Sequence, residues 1–258
     1  MRLLVLLMAA ALAGCGAMGG PAGKASDPIP TALVPAPHPP TELRRMVVVL
    51  PGRGDDLERL RASGIAEAIQ RAAPDTDVLL AGATFAYYAD GGLERRLHEQ
   101  IMAPARALGY RELWLAGASM GGMGALVYER AHPGELTGLL LMAPFMGEAE
   151  LVEEIAAGGG PARWDPGPAP AAIDRDNVGR EMWRVVRSWA ASPELAERVW
   201  LVCGADDGFA AGARLIASVL PRTHYLERPG GHAWKVWTPA ATEVFAEAVG
   251  TMIGHHSP

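Results

Sequence analysis

Between Leu113 and Gly122 an apolar run, Leu113-Trp114-Leu115-Ala116, passes into Gly117-Ala118-Ser119-Met120-Gly121 and on into a helix-compatible stretch. A serine on such a strand-to-helix corner is pushed out of the sheet, and glycines on either side leave the corner unobstructed. The chain must therefore deliver a buried strand to a sharp turn there, and Ser119 becomes the candidate nucleophile.

From Met46 onward, short apolar runs alternate with amphipathic stretches, the pattern of strands and helices wound around a parallel sheet. Strands are predicted at Met46–Leu50, Val78–Ala81, Glu112–Ala116, Thr137–Met142, Arg198–Cys203 and His224–Glu227. After the first strand, Asp55 is expected to cap a helix, with Glu58 in capping-box position and Leu57, Leu60, Ile65 and Ile69 along its inner face. Further helices are predicted from about Leu93 to Leu108, from Ser119 through Tyr128, around Leu215 and Val219, and from Pro239 to Met252. Between about 146 and 195 the alternation breaks into a short helix, a Gly/Pro-rich stretch and a helix carrying Trp183 and Trp189, which predicts an insertion over the C-terminal edge of the sheet. The fold class is α/β: a mostly parallel twisted sheet with helices on both faces and a helical cap insertion.

The N-terminal end is a targeting segment: Arg2 precedes an apolar run, Leu3 to Ala13, too short to span a bilayer. Leu12-Ala13-Gly14-Cys15 resembles the lipobox of bacterial lipoproteins, which implies a signal peptide over 1–14 and lipidation of Cys15. Gly16, rather than Asp, follows, and in a Gram-negative cell that pattern implies the periplasmic face of the outer membrane. A plain secretory signal is the alternative. Residues 15–40 are rich in Pro, Ala and Gly and are expected to form an extended tether, leaving 41–254 as one domain. With Cys15 lipidated, only Cys203 remains; it lies in an apolar run and is expected to be buried and unpaired. A balance of 23 basic against 29 acidic residues, with no Lys/Arg-rich run, argues against a nucleic-acid partner. Oligomeric state is left open.

Three motifs, Gly117-Ala118-Ser119-Met120-Gly121, Gly204-Ala205-Asp206-Asp207 and Gly230-Gly231-His232, each follow a predicted strand in the chain order Ser, Asp, His. In these features the chain resembles the α/β-hydrolase fold, and the string Ser119 to Leu126 resembles more narrowly its esterase D branch. The resemblance implies Ser119 as nucleophile, His232 as general base and a carboxylate holding the imidazole's tautomer. Two acids compete for the last role: the family's Gly-x-x-Asp spacing favours Asp207, with Asp206 as the alternative. It also implies an oxyanion hole from the amides of Met120 and of the loop after the first strand, where this chain has Pro51-Gly52-Arg53-Gly54 and Arg53 N–H is the candidate. The Arg53 side chain either is solvated or meets a substrate carboxylate.

Other residues have plainer readings. His132 ends a helix, His98 lies on a charged helix face, and His38, His224, His255 and His256 have no place in the site. Trp164, Trp183, Trp189, Phe145, Trp234 and Trp237 either wall an apolar acyl pocket or form core, with core the better match. Neither H-E-x-x-H nor paired C-x-x-C occurs, so no metal or cofactor is expected. The sequence thus points to a membrane-tethered hydrolase of small carboxylic esters or thioesters working through an acyl-enzyme. Peptide cleavage or acyl transfer on the same triad, and a non-catalytic envelope lipoprotein acting as a binding module, are the alternatives.

Overall fold

The computed structural model describes residues 24–38 and 44–254. The signal peptide, Cys15, His255 and His256 lie outside the described residues.

Among the described residues seven strands form one sheet in the order β1-β3-β2-β4-β5-β6-β7. In chain order the elements begin with β1 (Thr31–Val34), β2 (Arg44–Leu50), α1 (Leu57–Ala62), α2 (Ile65–Ala72) and β3 (Thr76–Ala81). There follow α3 (Phe85–Ala89), α4 (Leu93–Leu97), a π-helical turn (His98–Met102), α5 (Ala103–Ala107), β4 (Tyr110–Ala118), α6 (Met120–Ala131) and β5 (Gly138–Met142). The chain closes with α7 (Ala149–Ala157), α8 (Val178–Ala191), α9 (Pro193–Ala196), β6 (Val199–Gly204), α10 (Ala210–Ala217), β7 (Tyr225–Arg228) and α11 (Trp234–Gly254).

All six strands expected from the apolar runs are present, and they pair in parallel from β3 through β7. Met46 to Leu50, all of β5 and all of β6 are buried, as strands covered on both faces must be. The seventh strand, β1, corrects the expectation of a tether. Thr31–Val34 pairs antiparallel with β3, Ile29 is buried, and the Ser26 hydroxyl lies 2.7 Å from the Tyr87 hydroxyl. The Pro-rich composition hid a strand of four residues between Pro30 and Pro35, and a sheet edge is the place where strand-flanking prolines are tolerated.

Three local expectations also change. Asp56, not Asp55, caps α1, its carboxylate accepting from Arg59 N at 2.9 Å. The helix expected over 93–108 is split by the π turn that starts at His98. The last helix starts at Trp234 rather than at Pro239, which sits inside it and forgoes one backbone bond.

Helix α11 packs against α2, where the Thr238 and Thr242 hydroxyls donate to Ser63 and Ala68 carbonyls at 3.0 and 2.9 Å. The insertion is joined firmly to the rest: α8 packs on α6, and buried Glu181 meets Arg130 at 2.9 Å and Arg184 at 3.1 Å. Trp164, Trp183, Trp189 and Trp237 are all buried, so the core reading holds for them. No helix among the described residues is long and apolar enough to cross a membrane.

Candidate active site

The C-terminal ends of β2, β4, β6 and β7 carry the candidate residues. Between β4 and α6, Ser119 has φ 54° and ψ −114°, a left-sided conformation that costs a non-glycine residue about 1–3 kcal/mol. Neighbouring backbone enforces it. Ser119 N donates to Met142 O at 2.8 Å, and Ser119 O accepts from Phe145 N at 3.0 Å. The corner is closed so tightly that a Cβ on Gly117 would lie 2.1 Å from Gly121 O. The Ser119 hydroxyl does not cap its own helix, which leaves it available to another partner.

The two adjacent acids separate cleanly. Asp207 is buried, and its two carboxylate oxygens lie 2.8 and 3.0 Å from His232 Nδ1, whereas Asp206 is exposed. Asp207 Oδ1 also accepts from Phe209 N at 2.8 Å, so the same carboxylate ties the turn after β6. An N–H at Nδ1 facing that carboxylate leaves the Nε2 lone pair pointing away, the tautomer a general base requires. Among the described residues the Ser119 hydroxyl forms no hydrogen bond with the ring, and such contacts commonly close only when substrate binds.

Aromatic edges hold the His232 ring from two sides: Phe209 at 5.0 Å and Trp237 at 4.7 Å, both nearly perpendicular to it. Phe209 in turn meets Phe145, 5.7 Å away, beside the serine corner. The sequence did not single out Phe209, because nothing local marks an aromatic two residues after an acid as a wall for a distant histidine.

Asp55 was missed in the same way. Its Oδ2 accepts from Trp234 Nε1 at 2.9 Å across 179 residues of sequence. Trp234 lies 5.4 Å from Trp237, and Trp237 touches His232. The loop after β2 is thereby stitched to the segment that carries His232. A Cβ on Gly52 of that loop would lie 3.6 Å from Ser119 Cβ, so the loop also borders the candidate nucleophile.

Met120 N–H is the first amide of α6, one of those without an acceptor inside the helix, and it stands at the positive end of the helix dipole. Arg53 is exposed, and its guanidinium lies 4.5 Å over the Phe85 ring. Cys203 is buried at the end of β6, and burial, with the Asp207 charge second, pushes its thiol up to about 12, which leaves it unreactive at neutral pH. His224 lies apart from the site, stacked 3.8 Å from Trp200.

The pattern of the family described as "Putative esterase" matches residues 92–247. No curated protein matches the chain. Among solved structures, the chain is similar to the fluorophosphonate-binding serine hydrolase F of Staphylococcus aureus: TM-score 0.58, 13% identity, covering 87% of this chain and 95% of that one. It is similar to the S-formylglutathione hydrolase of the same organism, with TM-score 0.55, 12% identity and coverage of 88% and 100%. Est1E from Butyrivibrio proteoclasticus with ferulic acid bound gives TM-score 0.53, 17% identity and coverage of 86% and 96%. At these identities the likeness is one of fold, and that fold is the α/β-hydrolase fold.

Proposed function

The chain belongs to the Esterase family and is a carboxylesterase-like hydrolase, and from that premise we propose that Ser119, His232 and Asp207 carry its reaction through an acyl-enzyme. One observation supports the assignment above others: the buried Asp207 carboxylate grips His232 Nδ1 at 2.8 Å at the same sheet end as the strained Ser119 corner. The Ser119 hydroxyl attacks the carbonyl as His232 Nε2 takes its proton. His232 then passes that proton to the leaving alcohol or thiol, and the acyl group stays on Ser119. Water, deprotonated by the same nitrogen, releases the acid. Met120 N–H and Arg53 N–H hold the oxyanion, and losing one such donor costs about 3–4 kcal/mol of barrier.

The substrate class is a small carboxylic ester or thioester. Folds similar to this one include a hydrolase of S-formylglutathione and a protein with ferulic acid bound, which together span thioesters and aromatic acids. Phe145 and Phe209, paired between the serine corner and the base, suit an apolar acyl group.

A fluorophosphonate probe tests the nucleophile: the native chain takes up label and Ser119→Ala does not. A native, folded protein that stays unlabelled would remove the enzyme mechanism and leave the binding-module alternative. Rates on p-nitrophenyl esters of graded chain length, beside aminopeptidase substrates, separate ester from peptide cleavage. The N-terminal reading belongs to the same proposal: Cys15 anchors the chain to an envelope membrane. Cys15→Ala should move the protein into the soluble fraction, and unchanged partitioning would defeat that part alone.

A further inference from the structure

At the far end of α6, about 18 Å along the helix from Ser119, a second group of polar side chains meets that ester hydrolysis does not use. His98 opens the π turn, His132 follows the last residue of α6, Glu135 comes soon after, and Glu94 belongs to α4. The sequence placed His98 on a charged face and His132 at a helix end. Folding stacks their rings, with centroids 4.1 Å apart and planes within 2°.

His132 Nε2 meets Glu94 Oε1 at 2.5 Å, which fixes the ring proton on that nitrogen. Its Nδ1 lone pair then faces Glu135 Oε1 across 3.4 Å. His98 Nδ1 faces the other oxygen, Glu135 Oε2, at 3.7 Å. One hydrogen is on offer from the Tyr128 hydroxyl, which lies 2.9 Å from Glu135 Oε2 and 3.2 Å from His98 Nδ1 and cannot serve both. With the His98 proton on Nε2, two imidazole lone pairs and the Glu135 carboxylate face one another, and the nearby Arg106 guanidinium is spent on the Glu135 backbone carbonyl, so a cation suits the side-chain cluster.

The spacing fits a metal ion. Bonds of about 2.0–2.1 Å in a tetrahedron put ligand atoms about 3.3–3.4 Å apart, close to the two distances above, and one ligand atom from each of His98, His132 and Glu135 lies within 4.8 Å of the others. A carboxylate on the far ring nitrogen, as Glu94 is, is the usual partner of a metal-bound imidazole. Two imidazoles and one carboxylate suit zinc and its transition-metal neighbours better than magnesium or calcium. The π turn adds a structural mark, since such turns within helices gather at functional sites.

We propose that His98, His132 and Glu135 bind one divalent transition ion, zinc by preference, with Glu94 behind His132 and water as the fourth ligand. Imidazole lone pairs lie in the ring plane, so parallel stacked rings cannot both aim Nδ1 at one ion, and binding turns the partly exposed His98 ring out of the stack. Side-chain exposures of 33% for His98, 19% for His132 and 39% for Glu135 leave a path from solvent. The ion pins the π turn to the end of α6 and takes no part in the ester chemistry.

The test is calorimetric titration of zinc chloride into the full-length chain after dialysis against chelator. One zinc per chain is expected, weakened at least about tenfold by His132→Gln and by Glu135→Gln, with a zinc-dependent rise in melting temperature that both variants lose. Glu135 lies outside any helix or strand, so Glu135→Gln still decides if His132→Gln fails to fold. Absence of binding, binding indifferent to both substitutions, or binding lost in His232→Ala instead would overturn the proposal. None of these readouts depends on esterase activity.

Discussion

Asp206 and Asp207 are neighbours in sequence and opposites in environment, one in solvent and one buried against an imidazole. That contrast was legible beforehand only as a spacing from Gly204; the turn after β6, closed by Asp207 N on Gly204 O at 3.1 Å, leaves Ala205 and Asp206 in solvent and brings Asp207 inside. Asp207→Asn should keep the fold and lower kcat about 10⁴-fold, because an amide can stabilise the wrong ring tautomer. Asp206→Asn should leave kcat within about twofold, as exposed substitutions usually do. Steady-state kinetics on one ester measures both, and equal losses would refute the assignment. A different residue governs acid stability. Burial against Trp200 lowers the pKa of His224, so its neutral form is favoured in the fold. Its contribution is present above the unfolded value of about 6.5 and is lost as pH falls below that. Urea unfolding at about pH 7.5 and about pH 5.5 should show a smaller acid-induced loss in His224→Phe than in the native chain. Ser119, Asp207 and His232 were readable because each sits in a local motif. Phe209 and Asp55 were not, since their partners come from elsewhere in the chain and only the closed sheet brings them together.

At the level of elements, the central strands β2, β4, β5 and β6 could be read from apolar runs because burial on both faces leaves few polar residues in them. β1 escaped notice because an edge strand of four residues needs no such run. The π turn escaped because an extra residue in a helical turn leaves the apolar period nearly intact. The contact between the β2–α1 loop and α11 matters most for chemistry. It joins the neighbour of the proposed nucleophile to the neighbour of the proposed base through Asp55 and Trp234. Asp55→Ala should lower stability by about 1–3 kcal/mol by orphaning the indole N–H. It should lower kcat about 10- to 100-fold through small misplacement, with less effect on KM. Asp55→Asn, which keeps an acceptor, should recover most of both. If Asp55→Ala lowers stability but leaves kcat unchanged, the link is structural only.

Across the whole molecule, one sheet serves two ends of differing character. Its C-terminal end carries Ser119, Asp207 and His232, while the far end of α6 carries the stacked histidines. β1 forms one margin of the sheet and β7 the other, separated by six strand spacings of about 4.8 Å, or roughly 29 Å. Anything fastened upstream of Lys24, whether a lipid, a resin or a fusion partner, therefore takes hold at the margin remote from the strand that leads to His232. Load applied there is borne by the β1–β3 ladder before it can disturb the contact between Asp207 and His232. Chains coupled to beads through their N-terminal region should keep the turnover they have in solution, whereas chains coupled through Lys235, next to Trp234, should not.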